Sequence, residues 1–291
     1  MPANPERVMR RMVVVVVLVG WFGIASSRPA AVPVPVGGQY AGTEPLDRLL
    51  DLYVRDGLVY YAALRTERAT LDRFVRANAD LPPGFGSWPA SDQKAFWLNA
   101  YNVLVLRTII DHYPIRGQSP NYPPDSIRQI PGAFDERAHH VGGRETTLDE
   151  IEVGILPAFG DPRMFLALGR GAVGSGRLRS EVYLSSQLDA QLDDVVREFA
   201  ATPQHLTLDR LGDEVRVSPI FGWRATEFIA AYGDRGWTET NRAPIERAIL
   251  TLIEPMLFPS ERAFLSVNRF TLRYQEFDWR LNDLTGGGPH D

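Results

Sequence analysis

Residues 91–112 read SDQKAFWLNAYNVLVLRTIIDH, a stretch that predicts one long helix with too few polar residues to face water on any side. No Gly or Pro interrupts it, Ser91 stands where a side-chain oxygen can take up an orphan N–H of the first turn, and Pro114 stands where a helix must already have ended. Apolar residues fall on more than one stripe: Phe96, Ala100, Val103 and Leu104 make one, and Trp97, Tyr101, Leu104 and Val105 another. A helix apolar nearly all round belongs inside a domain, with other elements packed on several sides. Asn99 and Asn102 are its polar exceptions. Once buried, each amide needs partners for its donors and its acceptor, so the pair either ties loops to the core or lines a ligand pocket.

Upstream, Leu46, Leu49, Leu50 and Tyr53 share one face of a short helix beginning near Glu44. Gly57 and strand-like residues 58–61 follow, then a helix at about 66–78 with Leu71, Phe74 and Val75 inward. Downstream, Pro114, Pro120, Pro123, Pro124 and Pro131 mark a long loop of the kind that forms a lid or a rim. Residues 138–141 and 144–146 flank Gly142-Gly143 as a tight hairpin. Thr147-Leu148-Asp149-Glu150 fits a capping box opening a helix to Leu156, which Pro157 ends. Residues 164–168 read as a short apolar strand and residues 169–176 as a glycine-rich loop. A helix starting at Ser185 or Ser186 carries Leu188, Leu192, Val195, Val196 and Phe199 at helical spacing. Residues 206–208 and 215–217 pair as a second hairpin, and helices at about 225–232 and 243–257 precede a strand at 270–274. This order predicts an α+β fold: a single, mainly helical domain over residues 44–283, with a small antiparallel sheet built from short hairpins.

The first residues predict an address rather than a fold. Arg7, Arg10 and Arg11 form a basic region, residues 12–25 an apolar run of 14, and Ala25, Ser26 and Ser27 a small-residue cleavage point. So short a run does not span a hydrocarbon core of about 30 Å. Residues 1–27 are therefore expected to be a secretory signal, with an uncleaved N-terminal anchor as the alternative and as the sole membrane contact. Residues 28–43 form a Pro/Ala/Val/Gly linker, and residues 284–291, through Gly286-Gly287-Gly288, a disordered tail. The expected location is periplasmic or secreted. No cysteine occurs, which excludes disulfides, a lipoprotein signal and a thiol nucleophile. The net charge of −5 includes three arginines and Glu6 within residues 1–27, so the remainder carries −7, a poor match to nucleic acid.

Four features could carry chemistry. Gly169, Gly171 and Gly174 spell G-x-G-x-x-G, but no helix starts at the third glycine, so no dinucleotide or other cofactor is expected. His139 and His140 alternate across a strand and point to opposite faces, and no zinc-type spacing occurs, so no metal is expected. Ser175 lacks the G-x-S-x-G frame of a nucleophile elbow and reads as a turn serine. Glu152 falls between Leu148 and Leu156 and leans on an apolar face. It either meets an arginine, Arg163 or Arg170, or sits in a pocket as an acid or base.

Taken together, Gly57-Leu58-Val59-Tyr60-Tyr61, AFWLNAYN at residues 95–102, TLDEIE at 147–152, Asp161-Pro162-Arg163 and Phe277-Asp278-Trp279-Arg280-Leu281-Asn282 resemble the domain of unknown function 547 family, over about residues 44–282. That family has no assigned activity and occurs widely behind bacterial export signals. Its members commonly carry histidines where Val153 and Phe165 stand here, and cysteines where Arg170 and Ser175 stand. The resemblance thus implies a scaffold without its thiol and imidazole: a non-catalytic or degenerate binding or scaffolding protein for a small molecule or protein, with Asn99, Tyr101, Asn102, Glu152, Arg163 and Arg170 as binding residues. The alternative is a hydrolase using Glu152 or Ser175 in place of a cysteine nucleophile.

Overall fold

The computed structural model describes residues 42–286; the expected signal, residues 28–41 of the expected linker and residues 287–291 of the expected tail lie outside the described residues. Helix α1 (Thr43–Tyr53) starts one residue inside the expected linker and buries Leu46, Leu49 and Leu50. Strands β1 (Val54–Arg55) and β2 (Leu58–Val59) form a two-stranded ribbon around Asp56 and Gly57, both at positive φ. The helix expected at 66–78 is α3 (Ala69–Ala77), and a short helix the sequence did not suggest, α2 (Tyr61–Thr66), precedes it, so that the strand-like stretch expected at 58–61 ends at Val59; each helix has its own buried face.

Helix α4 (Ala90–His112) has 23 residues, about 34 Å of axis, with 16 of them buried. Ser91 does not cap it. Pro89 is the cap residue, and its carbonyl accepts from Asp92 and Gln93, so the start is set by the Trp88-Pro89 break. Helices α2 and α3 pack on α4, and the Pro-rich loop after it is pinned by Gln129, whose amide bonds the backbone of Ser119 and Tyr122.

Strands β3 (His139–Val141) and β4 (Arg144–Thr146) pair as expected around Gly142-Gly143. The capping box follows: Thr147 Oγ1 accepts from Glu150 N at 3.1 Å, and Glu150 Oε2 accepts from Thr147 N at 2.9 Å. The turn it opens is not α-helical. Residues Glu150–Ile155 form a π-helical turn, continued as a 3₁₀ turn over Leu156–Phe159 with Pro157 inside it. A proline tolerates the first turn of a new segment but cannot donate to the preceding one, which places the change of winding at this point.

The strand expected at 164–168 is a helical turn, α5 (Arg163–Leu166). Met164 through Leu168 are all buried, so no alternation was available to separate strand from helix. Helix α6 (Leu188–Ala201) begins after Gln187, not at Ser185 or Ser186, and Gln191 reaches back to Leu184 N and Val182 O, both at 2.9 Å. Strands β5 (Leu206–Asp209) and β6 (Glu214–Val217) are the second hairpin. Helices α7 (Ile220–Trp223), α8 (Ala225–Tyr232), α9 (Pro244–Ile253) and α10 (Pro259–Val267) lead to β7 (Thr271–Tyr274), which joins β6 in parallel with Val217 opposite Tyr274. A parallel neighbour needs a long crossover, supplied here by four helices. The α+β class stands, with the strands divided among three small sheets, one of them mixed.

The last segment ties the molecule together. Val59 N donates to Asn282 O, Leu284 N to Val59 O, and Val173 N to Arg280 O. Asn282 itself accepts from Tyr61 Oη at 2.7 Å and donates to Gly57 O at 2.8 Å. Leu284, the first residue of the expected tail, is thus still bonded to β2.

Candidate functional site

The glycine loop is built for close packing. A β-carbon at Gly176 would stand 1.6 Å from Leu166 O, and one at Gly174 2.7 Å from Asp278 N. Asn102 fixes the entry to this loop, accepting from Gly169 N at 2.8 Å and donating to Ala167 O at 3.3 Å. Asn99 clamps Tyr183 in the same way, donating to its carbonyl at 2.8 Å and accepting from its N–H at 2.9 Å. The void beside both amides measures about 10 Å³, room for no more than a water molecule. Asn99 and Asn102 therefore act as backbone clamps in this fold.

Arg163 is also elsewhere. It is held by Asp161, Asp189 and Asp193 at 3.0, 2.7 and 2.6 Å, with Lys94 on Asp161 at 3.0 Å.

Glu152 is the centre of the remaining set. Arg170 grips it with two bonds, Nη2 to Oε1 at 2.7 Å and Nε to Oε2 at 3.1 Å, and Tyr101 Oη donates to Oε2 at 3.1 Å. Arg224 donates to the Glu152 carbonyl, and its Nε stands 3.8 Å from Oε1. Burial by itself would push the Glu152 pKa up; the Arg170 charge and hydrogen bonds, with Arg224 and Tyr101, outweigh it and hold the carboxyl below its ordinary value. Burial and the Glu152 charge push Tyr101 far up. Glu152 is thus an ionised, fully bonded carboxylate rather than a free acid or base.

Val153 lines the same cleft as Glu152 and Arg170, and Arg170 Nη1 donates to the carbonyl of Phe165 at 3.2 Å. The Arg170 guanidinium neutralises the glutamate beside it.

The cleft has a volume of about 210 Å³ and owes its other walls to distant elements. Arg128 comes from the 3₁₀ turn Ile127–Gln129, whose N–H is capped by Ser126 Oγ at 3.1 Å. Its guanidinium lies over the rings of Phe134 and Trp279 at 4.4 and 4.6 Å. Trp223, 45% exposed, closes one side from α7. Asp149 faces in from the turn before Glu150; burial first, then the Glu152 charge, raises its pKa. Asp149 and Trp279 sit in motifs visible in the sequence. Arg128, Trp223 and Arg224 have no local signal, and only packing brings them in.

Ser175 belongs to a second cleft, of about 270 Å³, between the glycine loop and Asn282. Its Oγ accepts from Arg170 N at 3.0 Å. His205 lines that cleft too, its ring stacked on Phe199 with centroids 3.9 Å apart. Burial pushes His205 down to about 4, against hydrogen bonds to the backbone at Ser175 and Gln204. Glu152, Ser175 and a histidine are consequently not gathered in one cleft. Among the described residues no group of three or more His, Cys, Asp or Glu side chains could hold a metal ion, and His140 bonds Glu145 at 2.9 Å on the surface while His139 is buried.

Residues 85–200 match the family model "Protein of unknown function, DUF547". The matched region holds AFWLNAYN, TLDEIE and Asp161-Pro162-Arg163; the outlying motifs around Gly57 and Trp279 bond each other through Asn282. No curated protein and no solved structure matches the chain.

Proposed function

We propose that this chain is an exported, non-catalytic binding protein whose ligand site is the Glu152 cleft. One observation carries the reading: both carboxylate oxygens of Glu152 are engaged by Arg170 and Tyr101, so the one carboxylate at the centre of the site neither gives nor takes a proton at neutral pH. Acyl transfer requires a nucleophile, a base and an orienting group within reach of one another. Here Glu152 and Ser175 line different clefts.

The hydrolase alternative draws support from His205 sharing a cleft with Ser175. Against it, that imidazole is buried and stacked on Phe199, and no carboxylate is bonded to it to orient it as a base. A panel of ester, amide and peptide substrates offered to the purified protein tests the two readings. The binding-protein reading expects no turnover; hydrolysis that disappears in Ser175→Ala would replace it with the hydrolase.

Export rests on the basic and apolar segments of residues 1–27. Intact-mass measurement of the protein from the extracytoplasmic fraction should show loss of about the first 27 residues. A full-length, membrane-bound species would instead establish the anchored form. Among the described residues no helix is long and apolar enough to cross a membrane.

A further inference from the structure

The Glu152 cleft carries an imbalance that points to its ligand. Three guanidiniums, those of Arg128, Arg170 and Arg224, face two carboxylates, Asp149 and Glu152. Arg170 and Glu152 satisfy each other. That leaves Arg128 and Arg224 against Asp149, while Glu152 Oε1 stands 3.8 Å from Arg224 Nε and Glu227 Oε1 3.6 Å from its Nη1, both beyond hydrogen-bonding distance. The Nε atoms of both Arg128 and Arg224 are buried without a hydrogen-bond partner. Arg224 is 8% exposed, and a buried guanidinium donor without an acceptor is costly.

The aromatic walls could suggest a cation site instead. However, the ring faces of Phe134 and Trp279 are already covered by the protein's own cation, Arg128. What the cleft still offers is an acceptor-seeking guanidinium pair beside the partly exposed ring of Trp223. Its volume of about 210 Å³ is below the ~300–1,000 Å³ usual for drug-sized ligands. It suits one ring or one chain end, not a nucleotide.

We infer that this cleft binds a small organic carboxylate with a flat apolar body, the carboxylate taken by Arg128 and Arg224 and the body laid on Trp223. This assignment rests on the binding-protein reading and names its ligand class. A guanidinium matches a carboxylate with paired N–H donors, and the neutral amide of the same shape loses the charge. The shared chemistry covers a free aromatic acid and the terminal carboxylate of a peptide ending in an aromatic residue.

Titration calorimetry on the full chain with benzoate, benzamide and benzylamine tests the assignment. Benzoate should bind at least tenfold more tightly than the other two, and Arg128→Gln should erase that preference. Trp223→Ala should weaken benzoate without removing the preference for charge. The three-probe comparison on the unsubstituted protein decides the matter even where a variant fails to fold. No benzoate binding, or benzamide or benzylamine binding as tightly, overturns the carboxylate assignment. Binding of benzamide or benzylamine that Trp223→Ala abolishes would leave the binding reading standing, whereas substrate turnover would sink that reading separately. Replacing benzoate by an acetylated dipeptide ending in phenylalanine, beside its C-terminal amide, separates the chain-end source from the free acid.

Discussion

Glu152 and Arg170 are both nearly out of solvent, with side chains 11% and 3% exposed, so each charge depends on the other. Removing one partner of such a pair strands the other charge, at a cost of about 3–5 kcal/mol, whereas replacing both by apolar residues of similar volume is often close to neutral. Glu152→Gln should therefore lower the urea-unfolding free energy by about 3 kcal/mol or more. Glu152→Leu combined with Arg170→Met should recover most of it, and a single variant within about 1 kcal/mol of the parent would remove the pair from the account. Asn99→Leu would leave Tyr183 N–H and C=O without their side-chain partner, costing about 1–3 kcal/mol in the same measurement. That the two asparagines are buried was legible from their place on an all-round apolar helix. Which backbone they hold was not, because Tyr183 is 84 residues from Asn99.

Between α5 and α6 the glycine loop shows why a motif is less informative than its surroundings. G-x-G-x-x-G is the spelling of a phosphate cradle, yet Gly174 and Gly176 are glycines because Asp278 and Leu166 backbone occupies the space a β-carbon needs. Gly176→Ala should cost about 3 kcal/mol or more, or abolish folding, since its obstacle is backbone rather than a movable side chain. Gly86→Ala, with nothing within 4 Å, should leave the melting temperature nearly unchanged. Equal melting curves for the two would contradict the packing explanation. The π-helical turn at Glu150–Ile155 was likewise beyond local reading: the capping box is present, but the winding after it depends on what Pro157 and the Glu152 contacts impose.

Across the chain, one buried apolar cluster runs from Leu46 to Leu281, with charges and imidazoles set into it. His139 and His205 are both pushed down to about 4, burial being the first cause in each, with Arg107 and Arg137 acting on His139 in the same direction. The native state thus disfavours a proton that the unfolded chain takes up below about 6.5. Stability is undiminished above that pH and is lost as pH falls from about 6.5 to about 4, on the order of 2–3 kcal/mol for each histidine. Glu152, whose pKa is lowered, contributes stability that is fully present above the ordinary glutamate value and is lost as pH falls below that value toward its lower value in the fold. Denaturant titrations at pH 7 and pH 5 should show a drop that His139→Gln with His205→Gln makes smaller; a pH-independent midpoint over that interval would refute the assignment.

Composition and pattern were enough for the α+β class, the central helix and its two buried amides, and both expected hairpins, and they narrowed Glu152 to an arginine partner or a pocket. Each follows from interactions among residues near in sequence or from the period of apolar positions. Packing chose Arg170 over Arg163, turned the apolar run at 164–168 into a helix, joined β7 to β6 in parallel, and put Ser175 in a different cleft from Glu152. It also brought Arg128, Trp223, Arg224 and Trp279 to one place, with Arg224 bonded to a residue 72 positions away. Such contacts are set by how separate elements fill space against one another, and no local period or propensity encodes which distant side chain will stand opposite.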